Sequence, residues 1–285
     1  MKSILTSFAS LAIFVLILFG YFSLQNSKPT PIIPQKVEIE NEKPVLSDLE
    51  ITVLNTGKSD CIVVQTPNKV LMIDTAERKN LQQISNFLQG NDISHIDYLI
   101  ITHFDKDHVG SAGEIISTFS VGEIYEPNYT RQSDHVTRYR DAISEKETAL
   151  HVLTQKQTLA YDGIEVTLLP TLLDLDSEDG NNQSIIIEID SSTHSYLFMG
   201  DAEDIRIHEF LQTNTKGFDF IKMPHHGKWH IMLEELLTTT SPSLVAITSS
   251  LEEPPEDATL NLLSRLEIDA WLSPQGDLEV VTMLE

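Results

Sequence analysis

Short apolar runs separated by turn residues fill the chain from residue 49 onward. The first three runs are LEITVLN, DCIVVQT and KVLMID, and they are separated by the turn sequences Thr56-Gly57-Lys58 and Pro67-Asn68. This pattern predicts three consecutive antiparallel strands. The next run, IDYLIIT at 96–102, is apolar throughout, which is typical of a strand that is buried on both faces.

Helices and strands alternate in the rest of the chain. The apolar positions predict helices at 77–89, 109–119, 136–149, 203–213, 231–239 and 257–266. LAYDGIEVTLL predicts a hairpin, SIIIEID is expected to pair with HSYLFMGD, and IDAWLS is expected to pair with LEVVTM through a turn at Gln275-Gly276-Asp277. The chain shows antiparallel strands followed by strands that alternate with helices, and this order occurs twice. It favours an α/β (α+β) fold. In this fold two mixed sheets pack face to face, with helices outside.

The N-terminus predicts a membrane segment. Residues 4–24, ILTSFASLAIFVLILFGYFSL, carry no charge and are long enough as a helix to span a bilayer. We expect an uncleaved anchor over 1–28, with a cleaved signal peptide or a buried helix as alternatives. Residues 29–48 are proline-rich and predict a linker, so the folded domain is expected over 49–285. The domain would then lie outside the cytoplasm, in the periplasm or the extracellular space. It would be anchored to the membrane, or secreted if the segment is cleaved.

The composition excludes several classes of protein. Of the 285 residues 41% are hydrophobic, which excludes a wholly disordered chain, and the single Cys excludes a disulfide scaffold or a Cys-rich metal site. The chain has 19 Lys and Arg residues against 43 Asp and Glu residues, a formal net charge of −24. This charge disfavours nucleic acid as a partner without excluding it, because binding to phosphates needs clustered cations.

The densest chemical signal is the segment His103-Phe-Asp105-Lys-Asp107-His108, directly after the apolar run at 96–102. It offers four potential metal ligands, and a loop after a strand lets such side chains converge. Imidazole and carboxylate together suit zinc, manganese or iron. One ion is pictured between His103 and Asp105, and a second between Asp107 and His108. A charged surface loop is the alternative interpretation.

Further candidate ligands follow other predicted strands. Asp201 ends the apolar run SYLFMG, where its carboxylate is placed to bridge two ions or, alternatively, to cap the next helix. His225 and His226 follow the strand FDFIKMP, and a purely structural role is the alternative there. Asp74, at the end of KVLMID, is a candidate to orient a ligand imidazole or, alternatively, a turn residue.

These segments together resemble the metallo-β-lactamase superfamily, and in particular the hydrolase domain of ComEC-type competence proteins and their stand-alone relatives. The resemblance rests on LNTGKSDCIVVQTP, VLMIDTA, LIITHFDKDHVGS, NNQSIIIEI, LFMGDAE and DFIKMPHHG, which follow in that family's order and spacing. It implies an αββα metallo-β-lactamase sandwich with a two-metal site at the edge of the sheets. It also implies Asp201 as the bridging ligand and four further ligands, namely His103, Asp105, Asp107 and His108. Of the two adjacent histidines His226 is favoured, because neighbours on an extended chain point in opposite directions.

The sequence departs from the superfamily pattern at three places. The superfamily usually has His at the position of Asp105, although Asp is common in the ComEC-like branch. No His stands just before SIIIEID, where the superfamily supplies a further ligand, so Asn182 or water is expected in that role. Lys228 stands where ComEC relatives tend to have Ser. Lys228 and His225 are auxiliary candidates for contact with an anionic oxygen.

Two divalent metal ions, Zn or Mn, would lower the pKa of a bound water and polarise the substrate. We therefore expect a metal-dependent hydrolase with Asp107 as a catalytic residue. The favoured activity is that of a phosphodiesterase, which includes a nuclease-like activity, and it uses a hydroxide that bridges the two metals. The alternatives are a hydrolase of a small ester, lactone or phosphocholine substrate, and a non-catalytic anchored protein of the same fold. Arg131, Arg138 and Arg140 form the one compact cation cluster, which is either a phosphate site or a solvated helix face.

Overall fold

The structure is a computed structural model that describes residues 37–39, 47–176 and 178–284. Its strands form two mixed sheets. Sheet A contains β1 (Val37–Ile39), β2 (Ser47–Val53), β3 (Ile62–Gln65), β4 (Val70–Ile73), β5 (His95–Ile100), β6 (Ser120–Pro127), β7 (Ala149–Leu153) and β15 (Leu278–Leu284). Sheet B contains β8 (Gln157–Tyr161), β9 (Ile164–Leu169), β10 (Ile186–Asp190), β11 (Ser195–Phe198), β12 (Phe220–Lys222), β13 (Leu244–Ile247) and β14 (Asp269–Leu272).

The two sheets repeat one arrangement, in which an antiparallel half continues into a parallel half. Sheet A has the order β1-β15-β2-β3-β4-β5-β6-β7. Its strands from β15 to β4 are antiparallel, and those from β4 to β7 are parallel. Sheet B has the order β14-β13-β12-β11-β10-β9-β8, antiparallel from β8 to β11 and parallel from β11 to β14. The parallel strands need helical crossovers, which supply the outer layers.

Seven α-helices connect the strands of the described residues. They are α1 (Leu81–Gly90), α2 (Lys106–Val109), α3 (Ala112–Thr118), α4 (Asp134–Lys146), α5 (Asp204–Thr213), α6 (Leu233–Thr240) and α7 (Asp257–Arg265). None of the helices within the described ranges is long and apolar enough to cross a membrane. The predicted anchor over residues 1–28 lies outside the described residues, so it stays a prediction.

Three apolar layers hold the elements together. The middle layer lies between the sheets, where residues such as Ile51 of sheet A meet Ile187 and Phe198 of sheet B. One outer layer joins α1, α3 and α4 to sheet A, and the other joins α5, α6 and α7 to sheet B. Strands with residues in two layers, such as β5 with Leu99 and Ile100, are buried on both faces. The predicted sandwich of two sheets with helices outside is confirmed.

The last predicted strand pair is wrong. The run IDAWLS forms β14, which pairs with β13 in sheet B, whereas LEVVTM forms β15, which pairs with β2 in sheet A. The turn around Gly276 therefore carries the chain from one sheet to the other. Turn residues between two apolar runs indicate a reversal of the chain, but they do not show which sheet the next strand joins.

Two elements had no clear signal in the sequence. The edge strand β7 was not predicted, because the helix predicted over 136–149 covers its first residue and only a short run, LHVL, is left. The strand β1 lies within the segment 29–48 that was predicted as a linker, and it pairs with β15 in parallel.

Helix α4 begins at Asp134, after the capping residue Ser133, and ends at Lys146 rather than at residue 149, because Glu147 adopts a left-handed conformation with φ 52°.

Candidate metal centre

The candidate ligands lie where strands of both sheets end. His103 and helix α2 follow β5 of sheet A, whereas Asp201 and His226 follow β11 and β12 of sheet B. These strands belong to the parallel half of each sheet, where the carboxyl ends of neighbouring strands share one edge. The fold therefore brings side chains from distant parts of the chain to one place.

A glycine lets the backbone place Asp201. Gly200 has φ +53°, and a Cβ at this position would lie 3.0 Å from the Ser184 side chain and 3.2 Å from Thr102. Only glycine adopts this conformation without a steric penalty, and only glycine leaves room for these neighbours. The Asp201 N–H also donates a hydrogen bond to Ser184 Oγ, at 3.1 Å.

The two adjacent histidines have left-handed backbones, with φ of 47° at His225 and 55° at His226. The sequence argument that favoured His226 assumed an extended chain, and this assumption was wrong. His226 nevertheless points toward Asp107 and Asp201. Left-handed non-glycine residues cost of order 1–3 kcal/mol each, so the surrounding contacts must hold this turn.

Four side chains form what we call the central cluster: Asp107, His108, Asp201 and His226. Each offers a ligand atom, and these four atoms lie within 4.8 Å of one another. His226 Nε2 is 3.4 Å from Asp107 Oδ2 and 3.3 Å from Asp201 Oδ2, and His108 Nε2 is 3.2 Å from Asp201 Oδ1. Asp107 is the most exposed of the four side chains, at 16%. The cluster is thus closed on its protein side and open at Asp107.

Asp74 fixes the orientation of His108. Its Oδ2 lies 2.7 Å from His108 Nδ1 and accepts a hydrogen bond of 2.6 Å from the Thr102 hydroxyl. Its Oδ1 accepts from the Thr102 N–H at 2.8 Å. An acceptor at Nδ1 makes that nitrogen the donor, so a neutral His108 presents the lone pair of Nε2 to the central cluster.

A second buried chain of contacts supports His226. His226 Nδ1 lies 3.1 Å from the Thr248 carbonyl oxygen and 2.9 Å from its hydroxyl, which donates to Asp60 Oδ1 at 2.6 Å. Asp60 also pairs with Lys222, and both side chains are buried. The sequence analysis missed Lys222, because a lysine inside the apolar run FDFIKMP gives no sign of its distant partner.

His103 and Asp105 do not belong to the central cluster. The His103 ring lies beside that of His108, with 4.1 Å between ring centroids, and its buried Nε2 has no hydrogen-bond partner among the described residues. Asp105 instead forms an ion pair with Arg131, at 2.5 Å between Oδ1 and Nη1. The structure therefore brings together four of the six residues predicted as metal ligands, with His103 alongside and Asp105 paired with Arg131.

Asn182 is engaged by the backbone at the start of helix α5. Its Oδ1 accepts hydrogen bonds from the N–H groups of Glu203 and Arg206, both at 3.1 Å, and its Nδ2 donates to Asp179 at 2.9 Å. The sequence analysis offered Asn182 or water in place of a missing histidine. In this arrangement the side chain of Asn182 caps the start of α5.

His225 faces a separate group of polar side chains. Its Nδ1 is 3.1 Å from Glu203 Oε1, its Nε2 is 2.7 Å from Lys228 Nζ, and His230 stacks on its ring. Burial lowers the pKa of His225 to about 3, and the positive charge of Lys228 contributes to this shift. His225 and Lys228 therefore contact each other rather than the central cluster.

The charges of the central cluster are tightly linked. Burial opposes ionisation of Asp201, but His226 and His108 outweigh it and hold the pKa of Asp201 well below its usual range. Burial likewise lowers the pKa values of His108 and His226, but Asp201 outweighs it and raises both. The pKa of Asp107 is lowered as well, because the contact with the His226 imidazole, 3.4 Å away, overcomes the effect of burial. Two carboxylates are thus kept ionised beside two imidazoles.

The donor set of the central cluster fits a divalent cation. His108 Nε2, His226 Nε2 and Asp201 Oδ1 are buried polar atoms without a hydrogen-bond partner among the described residues. Such atoms are costly to bury unless they are paired or coordinate a metal. Two imidazoles with two carboxylates form a set that zinc, manganese or iron accepts.

A cleft of about 760 Å³ opens near the segment 103–108, which we call the metal loop. Tyr129 lines this cleft, and its hydroxyl accepts a 2.7 Å hydrogen bond from the N–H of Phe104, inside the metal loop. Apolar Val152, Leu172 and Leu173 line other parts of the cleft. The cleft is large enough for a small-molecule substrate.

The fold and the strand-end cluster define a superfamily of proteins. A family model described as the metallo-beta-lactamase superfamily matches residues 54–242, and the chain belongs to this superfamily. The resemblance seen in the sequence motifs is thereby confirmed. Members of this superfamily are usually metal-dependent hydrolases with a centre of two metals.

Two curated proteins are similar to the chain. One is ComE operon protein 3 of Bacillus subtilis (strain 168), 24% identical over 254 residues, which are 81% of this chain and 32% of that protein. The other is Recombination protein 2 of Haemophilus influenzae, 23% identical over 222 residues, which are 76% of this chain and 26% of that protein. The chain spans about a third or less of the length of these relatives.

Solved structures share the fold. YhfI of Bacillus subtilis, a metallo-beta-lactamase fold protein, matches with a TM-score of 0.56 at 11% identity, over 81% of this chain and 99% of that one. CmlA of Streptomyces venezuelae, a diiron beta-hydroxylase, matches with a TM-score of 0.52 at 15% identity, over 86% of this chain and 55% of that one. Since a hydroxylase shares this fold, the fold alone selects neither the metal nor the reaction.

Proposed function

We propose that this protein is a metal-dependent hydrolase whose central cluster holds a divalent cation, zinc or manganese. The observation that carries the proposal is the convergence of four ligand atoms within 4.8 Å. The chain belongs to a superfamily whose members are usually metal-dependent hydrolases, and this supports the reaction class. A phosphodiester is the favoured substrate, because one similar protein is named for recombination, a process that acts on DNA.

The chain's own residues prepare the site for hydrolysis. A divalent cation bound there would act as a Lewis acid on a substrate oxygen and stabilise developing negative charge. Asp74 keeps the proton of His108 on Nδ1, and the Thr248 carbonyl accepts the Nδ1 proton of His226. Asp107 is the most exposed member of the cluster, so its carboxylate is placed to contact and orient the attacking water.

A small ester or lactone is the second candidate substrate. The cleft beside the metal loop has apolar walls at Val152, Leu172 and Leu173, and a net charge of −24 repels polyanions. These features favour a small substrate over a long nucleic acid.

A substrate panel tests the proposal. The full-length protein, purified in detergent and supplied with Mn²⁺ or Zn²⁺, is assayed on bis-p-nitrophenyl phosphate, single-stranded DNA, p-nitrophenyl acetate and a lactone. We expect metal-dependent turnover that falls about 100-fold or more in Asp107→Asn and is unchanged in Glu252→Gln, which alters an exposed loop residue. Cleavage of the ester or lactone without the diester would select the second candidate. If the unmodified protein converted every substrate no faster than Asp107→Asn, the proposed enzymatic activity would be rejected, and a non-catalytic protein of this fold would be favoured.

We also propose that residues 1–28 anchor the protein in a membrane and place the domain over 49–285 outside the cytoplasm. The uncharged stretch 4–24 supports this proposal. Protease treatment of intact cells checks it: the domain should be digested while cytoplasmic proteins survive, and fractionation should distinguish an anchored from a secreted form.

A further inference from the structure

We propose that this chain binds one divalent cation, in the central cluster, and that the guanidinium of Arg131 takes the place of a second cation beside Asp105, where it binds an anionic oxygen of the substrate. This inference rests on the proposed function. It differs from the two-ion site that the motifs imply, and it assigns a role to a residue outside them.

The ion pair of Asp105 and Arg131 is built into the fold. Arg131 Nη1 lies 2.5 Å from Asp105 Oδ1, and the Tyr129 hydroxyl lies on the same side. The backbone at Gly180 covers the pair so closely that a Cβ there would lie 2.7 Å from Arg131 Nη1 and 3.2 Å from Asp105 Oδ1. A larger residue at 180 would displace the guanidinium, so the loop holds Arg131 against Asp105.

The remaining donors of a second site are engaged elsewhere. Asn182 caps α5 through its oxygen and bonds Asp179 through its nitrogen. Of the histidines between the metal loop and Asp201, His135 bonds the Phe104 carbonyl, and His151 and His194 bond Glu123 and Thr193. Outside the central cluster, His103 is the one histidine of the described residues that offers a buried nitrogen without a hydrogen-bond partner. Apart from Asp201, which belongs to the central cluster, a second ion would find one imidazole beside a paired carboxylate, which is a poor site.

Two carboxylates beside the central cluster already have a cationic partner in the chain. Lys222 neutralises Asp60, and Arg131 neutralises Asp105. One cation of charge +2 in the central cluster then neutralises Asp107 and Asp201. A second ion beside Asp105 would meet the positive charge of Arg131 directly, and like charges in a partly buried site repel strongly.

The guanidinium can also reach a substrate. Its side chain is 36% exposed, and one of its two terminal nitrogens is engaged with Asp105. A planar guanidinium binds phosphate or carboxylate oxygens through parallel hydrogen bonds. It also gives a local positive charge to a strongly acidic chain. The substrate is therefore expected to carry an anionic oxygen, as a phosphodiester does and a simple ester or lactone does not.

Metal content provides the first test. Full-length protein is titrated calorimetrically with Mn²⁺ or Zn²⁺ and analysed for bound metal. We expect one ion per chain in the unmodified protein and in Asp105→Asn, and loss of that ion in Asp107→Asn. Two ions, with one lost in Asp105→Asn, would overturn the inference but leave the proposed function standing. No bound ion would reject the proposed function itself.

Kinetics provide the second test. Arg131→Gln should keep the metal content, which shows that it folds, and should raise KM for a phosphodiester about tenfold or more without raising KM for a neutral ester. Arg131→Lys should recover part of the loss, because it keeps the charge but not the planar fork. The control is Arg138→Gln, which removes an arginine that lies near Glu114. An equal effect of Arg131→Gln and Arg138→Gln, or an equal effect on both substrates, would refute the role of Arg131.

Discussion

Asp74 Oδ2 lies 2.7 Å from His108 Nδ1, and neither side chain is exposed to solvent. The carboxylate also accepts both the N–H and the hydroxyl of Thr102, so three donors hold it in one orientation. Burial raises the pKa of Asp74, and the contact with His108 opposes that rise. This contact connects the end of β4 to the metal loop after β5.

Asp74→Asn should weaken metal binding. An amide can accept on one side only, so either the Thr102 N–H or His108 Nδ1 loses its partner. Loss of such an orienting carboxylate lowers metal affinity about 10- to 100-fold. Calorimetric titration measures the change, with Asp97→Asn as a control that removes a carboxylate bonded to Lys69 instead. Equal affinities in both variants would show that Asp74 does not orient His108.

Lys222→Met should destabilise the fold by about 3–5 kcal/mol, because it leaves the buried Asp60 without its counter-charge. Replacing both residues, as in Lys222→Met with Asp60→Asn, removes the uncompensated charge and should recover part of this loss. Urea unfolding of the two single variants and the double variant measures the coupling. Strictly additive losses would mean that the two side chains do not interact energetically.

Gly200→Ala should be more costly than Gly163→Ala. Both glycines have positive φ, +53° and +81°, but a Cβ at 163 meets no atom within 4 Å, whereas one at 200 meets Ser184 at 3.0 Å. The left-handed conformation alone costs about 1–2 kcal/mol in either variant. The excess at position 200 should appear both in urea unfolding and as weaker metal binding, since Asp201 follows directly. Equal losses of stability and full metal affinity would contradict the close approach.

Asp162 should stabilise the protein in a pH-dependent way. Its carboxylate accepts hydrogen bonds from the side chains of Thr66 and Asn68, which join the β8–β9 turn to the β3–β4 turn of the other sheet. These bonds lower the pKa of Asp162 in the folded state, with Thr66 contributing most. The stabilisation is therefore present above the pKa of the unfolded chain, about 3.9, and is lost as the pH falls through the lower folded value.

Asp162→Asn checks this linkage. At pH 7 the variant should be less stable than the unmodified protein by about 1 kcal/mol or less, because the site is near the surface. The difference should shrink below pH 4, where the unmodified carboxyl takes up a proton. Urea unfolding at both pH values measures it, beside Asp92→Asn at an exposed turn. A difference that grew toward acid would have the wrong sign.

The pattern of apolar residues predicted most of the fold, and it failed where a local signal cannot report a distant partner. The hairpin at Asp162-Gly163 is confirmed, because its strands pair with each other. The last two strands join different sheets, which no turn sequence reveals. The edge strand β7 was missed, because it is short and begins where the predicted helix was expected to end.

The candidate site was likewise predictable only where its residues are neighbours along the chain. The density of ligands at 103–108 was visible in the sequence, because all four are neighbours along the chain. The pairing of Asp105 with Arg131 and of Asp60 with Lys222 was not, since each joins segments that only the fold brings together. The sequence showed an arginine cluster at 131–140, but it did not show which arginine reaches the metal loop.

The central cluster takes its ligands from segments that follow both sheets. Metal binding therefore reports whether the two sheets have assembled. Asp107 and His108 follow sheet A, Asp201 and His226 follow sheet B, and β15 returns from the second half of the chain to lie between β1 and β2. Two fragments divided between β7 and β8 would each lack half of the ligands. Complementation of such a split protein would require the C-terminal fragment to insert β15 into its partner's sheet, and recovered metal affinity would measure that insertion.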